Sequence, residues 1–474
     1  MKIWQLLFDP RGMISRLSFA LAAIFLVAIK ITGDFALARL LFHRTWSLRE
    51  YLFPHLAFLF DNLPDGWKFD AVLLLWAAPF AWIGLTLLVK RLRSARAPIP
   101  LILLFFVPVA KFFLFAILCV LPERVYEART PVLPPPTRRW APESSLASAG
   151  LAVFCSTAIG IGFSLLATER KGAYLSWLFL GLPFLMGFLA TWIHGLARPR
   201  TLRQSFAAAY LSLAITGAIL LSIAAEGVVC LQMAAPIALC EATLGAWIAH
   251  LLHRTSWKSC GGSSSAVAAC VTLPLLALFE AGTNISPTEF AVTSQLSINA
   301  PPEIVWKHVI SFHELPPPHE WIFRLGVAYP KRAEIDGRGV GALRHCIFST
   351  GEFLEPVTVW DEPKRLAFDV VAQPDPLSEL SPYRNLRPPH LHGYFNSHRG
   401  EFCLYRKNSG TLLLGTTWYS NRMEPQLYWK LWSDALIHRI HIRVLEQIKL
   451  EAETEIIHGF DSTRQSEDRL LGPQ

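Results

Sequence analysis

The sequence predicts an α-helical membrane region of about eight spanning helices, followed by an α+β domain with a curved antiparallel sheet around a long C-terminal helix. Three observations predict it. Hydrophobic residues make up 52% of the 474 residues and charged residues only 17%, whereas soluble domains carry about 25% charge. The charge is also divided: residues 1–283 hold 24 Lys and Arg against 13 Asp and Glu, and residues 284–474 hold 20 against 23, which together give the net charge of +8. Finally, apolar runs of about 20 residues, the length that crosses hydrocarbon, stop near residue 283 and give way to period-two alternation.

The spans follow in order. Leu17–Leu37 is the first, with Lys30 and Asp34 one helical turn apart. Tyr51–Phe60 is apolar but short, and reads as interfacial. Ala71–Val89 is the second span, closed by Lys90, Arg91, Arg93 and Arg96, and Ile99–Leu121 is the third, with Lys111 inside it. Residues 1–121 thus form a three-span region. Residues 122–146 form a Pro-rich linker through Pro134, Pro135 and Pro136.

About five spans fill residues 147–283. They are Ala147–Thr168, Tyr174–Leu196, Phe206–Ala225, Val228–Leu252 and the shorter Ala266–Gly282. Only helices satisfy every backbone group in lipid over such runs. Small residues at Ala207, Ala208, Ala209 and Gly217 suit close helix packing. The basic excess lies in the loops of this apolar part, where anionic headgroups attract it. Nucleic acid is not an expected partner, since no basic run alternates with aromatics. Loop charges point both ways on sidedness. Eight cysteines without a C-x-x-C pair offer neither zinc nor redox chemistry.

Residues 284–456 read as the α+β domain, and 457–474 as a disordered polar tail. Val292–Ile298 alternates as a strand, and Pro301 and Pro302 open a helix through Trp306. Further strands are Ala333–Asp336, Val340–Ser349, Glu352–Trp360 and Leu366–Val371. Residues 373–393 form a long loop, and Glu401–Lys407 and Thr411–Tyr419 form a hairpin turning at Asn408 to Gly410. The last helix runs Gln426–Glu453, with an apolar stripe of Leu427, Leu431, Ala435, Ile442, Leu445 and Ile448.

Three segments carry a family resemblance over residues 290–453. They are Ile298-Asn-Ala-Pro-Pro-Glu-Ile-Val-Trp306, Gly337-Arg-Gly339-Val-Gly341, and Val359-Trp-Asp-Glu-Pro-Lys-Arg-Leu-Ala-Phe-Asp369. Together they resemble the START/polyketide-cyclase-like (SRPBCC) superfamily with its helix-grip fold. That resemblance implies a sheet closed over a long helix, with a cavity for an apolar or lipid-like ligand. It carries no catalytic residue and no cofactor. Large aromatics of the domain become candidate cavity residues: Trp306, Phe348, Phe368, Trp418, Trp429 and Trp432. Residues 8–122 resemble, more distantly, a bacterial inner-membrane family of unknown function. Asp9-Pro-Arg-Gly-Met-Ile-Ser-Arg16 and the Arg91-Leu-Arg93 loop carry that likeness.

Other polar residues invite chemistry. Glu241 lies mid-span and Lys111 inside the third span, and an intramembrane ionisable group is a functional candidate. His390 and His392 are spaced to hold a metal only on a strand, and their Pro and Gly neighbours favour a loop, so no metal site is expected. His438 and His441 share a helix face, and Asp434 stands one turn before His438, within reach of a carboxylate–histidine dyad. Phosphate-loop, serine-hydrolase and zinc-protease motifs are absent from the sequence. The function expected is a multi-pass inner-membrane protein whose C-terminal domain binds a hydrophobic or lipid-like molecule, its partners being the bilayer and that ligand. The alternatives are a transporter-like membrane part with a regulatory domain, or a cyclase-type enzyme.

Overall fold

The computed structural model describes residues 7–44, 46, 51, 66–95, 97, 99–106, 110–121, 142–169, 175–256, 262–281, 288–379, 393–407 and 410–470. The interfacial segment after Tyr51, the linker through residue 141, and His390 and His392 lie outside the described residues. The chain divides into two compact units, residues 1–225 with 234–285 and residues 286–474 with 226–233.

The first unit is helical. Its elements are α1 (Arg16–Phe42), α2 (Gly66–Ser94), a 3-10 segment (Ile99–Phe106), α3 (Ala110–Val120) and α4 (Ser145–Glu169). A π-helical turn (Trp177–Gly181) runs into α5 (Leu182–His194), and α6 (Leu202–Ser222), α7 (Val228–Ser256) and α8 (Gly262–Ala281) follow. Six helices among the described residues are long and apolar enough to cross a membrane, where the sequence suggested about eight. Within the third expected span the described residues form the 3-10 segment and the 11-residue α3, neither of them an α-helix of spanning length. Within α8 the apolar stretch among the described residues is the short Cys270–Glu280.

Burial sorts these helices. The most apolar window of α1 is 6% buried, although its mean hydropathy is 2.0, while the corresponding figure for Trp177–His194 is 83%. Exposed Leu17, Leu21, Ile24 and Phe25 on α1 therefore present apolar surface outward, as a lipid-facing helix does. α5 is the centre of the unit, and it crosses α7 where neither has a side chain. A Cβ on Gly187 would come within 2.1 Å of the Ala242 carbonyl oxygen, and one on Gly245 within 2.1 Å of that of Phe184. Such small-residue contacts let helix backbones approach in lipid. α6 starts on a capping box, with Thr201 and Gln204 bonding each other's backbone N–H. Near the N-terminus, Arg93 Nη1 donates to the Pro10 carbonyl at 2.7 Å and Ile14 N donates to Ser94 Oγ at 2.8 Å. The two segments of the more distant resemblance thus meet.

The second unit is α+β. Its elements are β1 (Glu289–Ile298), α9 (Pro302–Ile310), α10 (Trp321–Arg324), β2 (Pro330–Asp336), β3 (Leu343–Phe348), β4 (Gly351–Asp361), β5 (Arg365–Asp369), β6 (Phe395–Lys407), β7 (Gly410–Asn421) and α11 (Gln426–Leu470). The seven strands form one antiparallel sheet in the order β1-β7-β6-β5-β4-β3-β2. The first strand therefore pairs with the last, Ser294 opposite Gly415. β1 alternates, burying Phe290, Val292, Ser294 and Ile298. Its inner face packs with Val305, Trp306, Val309, Leu413, Leu445 and Ile448 into one core.

α11 differs from its sequence reading in two ways. It is helical to Leu470, through the stretch expected to be a disordered tail. Its buried stripe is also rotated, running through Ile437, Val444, Leu445, Ile448 and Ala452, while Leu427 and Leu431 are exposed. Steps of four residues advance about 40° around a helix, so Leu427, Leu431 and Ala435 drift off the buried face.

Candidate functional site

The second unit holds a cavity of about 180 Å³ between the sheet and α11. Most of its wall is apolar: Phe348, Phe353, Phe368 and Phe402 from the strands, Leu436 and Ile440 from the helix. Two glycines make room for the rings. A Cβ on Gly400 would come within 2.7 Å of the Phe368 ring, and one on Gly415 within 3.4 Å of the Phe402 ring.

Of the six aromatics singled out from the sequence, Phe348 and Phe368 line this cavity and the other four do not. Trp306 lies on α9 and is buried in the core, edge-on to Trp360 at 5.7 Å. Trp418 follows Thr417, which does line the cavity, and alternation along a strand turns it to the other face. The Arg399 guanidinium sits 4.3 Å from its ring centre. Trp429 is buried near the start of α11, and its Nε1 donates to the Glu424 carbonyl at 3.3 Å. Trp432 is half-buried.

Polar residues interrupt the apolar wall, among them Asp375, Ser397, Arg399, Glu401, Thr416 and Ser433, and two further groupings are hydrogen-bonded sets. Arg344 on β3 and Glu355 on β4 face each other across the register Arg344↔Glu355. Arg344 Nη1 donates to Glu355 Oε2, and both side chains are buried. The guanidinium lies 5.2 Å from the Phe368 ring and 5.8 Å from the rings of Phe312 and Phe402, within reach of a cation–π attraction. Burial works against the Arg344 cation, and the Glu355 carboxylate more than offsets it, so Arg344 titrates above its ordinary value. Burial also pushes the Glu355 carboxyl up, with Arg344 pulling it back. Beside them burial pushes the Cys346 thiol up to about 12, so it is protonated at neutral pH.

The second grouping joins β1, β7 and α11. His441 Nε2 meets Thr417 Oγ1 at 2.8 Å, His441 Nδ1 meets Ser294 Oγ at 3.1 Å, and Ser294 Oγ meets His438 Nδ1 at 2.7 Å. Thr417 and His441 line the cavity, and His438 is exposed. Burial holds His441 down to about 4, so its ring is neutral at pH 7. The carboxylate–histidine contact that the spacing would allow between Asp434 and His438 is not formed. Asp434 instead accepts from Tyr419 Oη at 2.6 Å and from Lys430 Nζ. Spacing along α11 placed the histidines on one face, but Ser294 and Thr417 stand 144 and 24 residues away from their partners, with no local signal to link them.

The membrane-type candidates belong to the first unit. Lys111 Nζ donates to the Tyr51 carbonyl at 2.6 Å and lies 5.2 Å from the Phe112 ring. Glu241 is buried on α7, and its Oε2 has no hydrogen-bond partner among the described residues. No group of three His, Cys, Asp or Glu close enough to hold a metal occurs among the described residues.

No family model and no curated protein matches the chain. Solved structures are similar to it over about a third of its length. A protein from Nitrosospira multiformis is 19% identical, with 34% of this chain and 95% of that one covered and a TM-score of 0.23. A norcoclaurine synthase point mutant of Thalictrum flavum, in complex with a transition-state analogue, is 14% identical, covering 36% and 99% with a TM-score of 0.24. The Aha1 dimer from Colwellia psychrerythraea gives 12%, 34%, 98% and 0.20 for the same quantities.

Proposed function

We propose that this chain is a membrane-anchored binding protein of the bacterial inner membrane, which holds a compact hydrophobic ligand in the cavity between its sheet and α11. The single observation behind this reading is the phenylalanine-lined cavity of about 180 Å³. An apolar cavity of about 150 Å³ is enough to hold a benzene ring. The space suits one ring, or the end of an acyl chain, better than a whole two-chain lipid. Burying a ring of about 150 Å² is worth about 4 kcal/mol, which alone corresponds to millimolar binding. A membrane anchor suits such a site, because apolar molecules concentrate in the bilayer beside it.

The test is fluorine NMR titration of fluorobenzene against the full chain in lipid nanodiscs, beside empty nanodiscs. Saturable binding is expected, and Ile440→Trp, which fills the cavity from α11, abolishes it. Partition into lipid alone, unchanged by the chain or by that substitution, overturns the reading.

A further inference from the structure

The Thr417–His441–Ser294–His438 chain has a property that follows from counting hydrogens. Ser294 Oγ sits between two histidine Nδ1 atoms, at 3.1 and 2.7 Å, and a hydroxyl carries one hydrogen. It donates to one ring and accepts from the N–H of the other. A neutral imidazole has one N–H and one bare nitrogen, so choosing the direction at Ser294 fixes every other bond. In one arrangement Thr417 Oγ1–H donates to His441 Nε2, His441 Nδ1–H to Ser294, and Ser294 Oγ–H to His438. In the other, His438 Nδ1–H donates to Ser294, Ser294 to His441 Nδ1, and His441 Nε2–H to Thr417. All three bonds are made in both. Reversal from the first to the second moves one hydrogen along each bond. It releases a proton from His438 Nε2 to solvent and returns one to Thr417 from water entering the cavity, so charge and atoms balance.

The two arrangements present different chemistry to the cavity. In the first, the Thr417 hydrogen is taken by His441 and its oxygen is left to accept. In the second, Thr417 accepts from His441 and its own hydrogen points to whatever fills the cavity. We infer that these four side chains form a reversible proton relay between solvent and cavity, which makes Thr417 the binding point for one ligand oxygen, whether hydroxyl or carbonyl. This deepens, and rests on, the reading of the cavity as a ligand site. It assigns the ligand class as a neutral, ring-sized molecule bearing one hydroxyl or keto group. Ser294 and His438 do not line the cavity and act as positioning residues.

The experiment uses the full chain in nanodiscs and three probes: fluorobenzene, 4-fluorophenol as donor and 4-fluoroacetophenone as acceptor. Thr417→Val, which keeps the shape and removes the hydroxyl, is expected to weaken both oxygenated probes about fivefold and to leave fluorobenzene within twofold. Ser294→Ala cuts the relay. A buried His441 Nδ1–H would then lack an acceptor, so the hydrogen moves to Nε2 and Thr417 is fixed as a donor. The ratio of fluorophenol to fluoroacetophenone affinity then falls at least threefold, again with fluorobenzene unchanged. Fluorobenzene serves as the folding control. If it binds and the ratio is the same in wild type and Ser294→Ala, the relay is overturned while the cavity stands. If no probe binds the wild-type chain, the ligand site falls, and the relay with it.

Discussion

Arg344 and Glu355 put the largest electrostatic stake at a single point of the second unit. Both are buried and each is the other's ionic partner. Removing one member of such a pair leaves an uncompensated charge and costs about 3–5 kcal/mol, whereas replacing both by apolar residues is often close to neutral. Arg344→Met alone is therefore expected to destabilise the unit by that amount, and Arg344→Met with Glu355→Leu by much less, in denaturant unfolding followed by tryptophan fluorescence. Equal losses in the single and double variants would show that the pair is not coupled. His441 makes a second residue-scale prediction. Folded, it is held down to about 4 from an ordinary 6.5, so between those values the unfolded chain takes up a proton that the folded chain refuses. Its contribution is whole above pH 6.5 and is lost as the pH falls toward 4, up to about 3 kcal/mol. Unfolding midpoints measured from pH 7 to pH 4.5 should fall less steeply in His441→Asn than in the wild type. These polar groups were only partly legible in the sequence. The histidines are visible as a helical pair, but the identity of their partners depends on β1 pairing with β7, and pairing across more than a hundred residues leaves no trace in local spacing.

At the scale of elements, the sequence showed strands more faithfully than helix faces. β1, β4 and β7 fall close to their expected bounds, because period two leaves one choice of inner face, whereas β6 starts at Phe395, six residues before its expected start at Glu401. The stripe of α11 was misjudged because polar Ser433 and half-buried His441 lie on the buried side, and Leu427 and Leu431 on the open one. The third span looked continuous because mean hydropathy does not distinguish a 3-10 segment from an α-helix. The α5–α7 crossing was invisible, since Gly187 and Gly245 are unremarkable until the two backbones are seen to touch. That crossing yields a prediction. Gly245→Ala must displace the Phe184 backbone and is expected to destabilise the first unit by about 1–3 kcal/mol, seen as a lower melting temperature in detergent. Gly162→Ala on α4, where a Cβ meets nothing within 4 Å, should leave melting unchanged or raise it slightly. If the two variants melt together, the crossing is looser than drawn.

For the whole molecule, the transfer free energy of the helical unit dominates. Six helices of 18 to 28 residues with mean hydropathies of 1.5 to 2.2 are stable among acyl chains and not in water. The full chain is expected to sediment with membranes from a detergent-free lysate and to be released by detergent but not by high salt. Recovery in the supernatant would remove the membrane anchor from the proposed function. The charge division along the chain was legible from composition alone. What composition leaves open is the cavity, because its volume depends on how far Gly400 and Gly415 let two rings approach the sheet.

The pairing of β1 with β7 under α11 also sets an order in time. A ribosome makes the apolar helices first and the wall of the cavity last, since Thr417, His438 and His441 belong to the final stretch of the chain. His441 follows Ser294 by 147 residues, and until that stretch is translated the wall of the cavity is incomplete. The apolar helices are therefore made before the cavity can close.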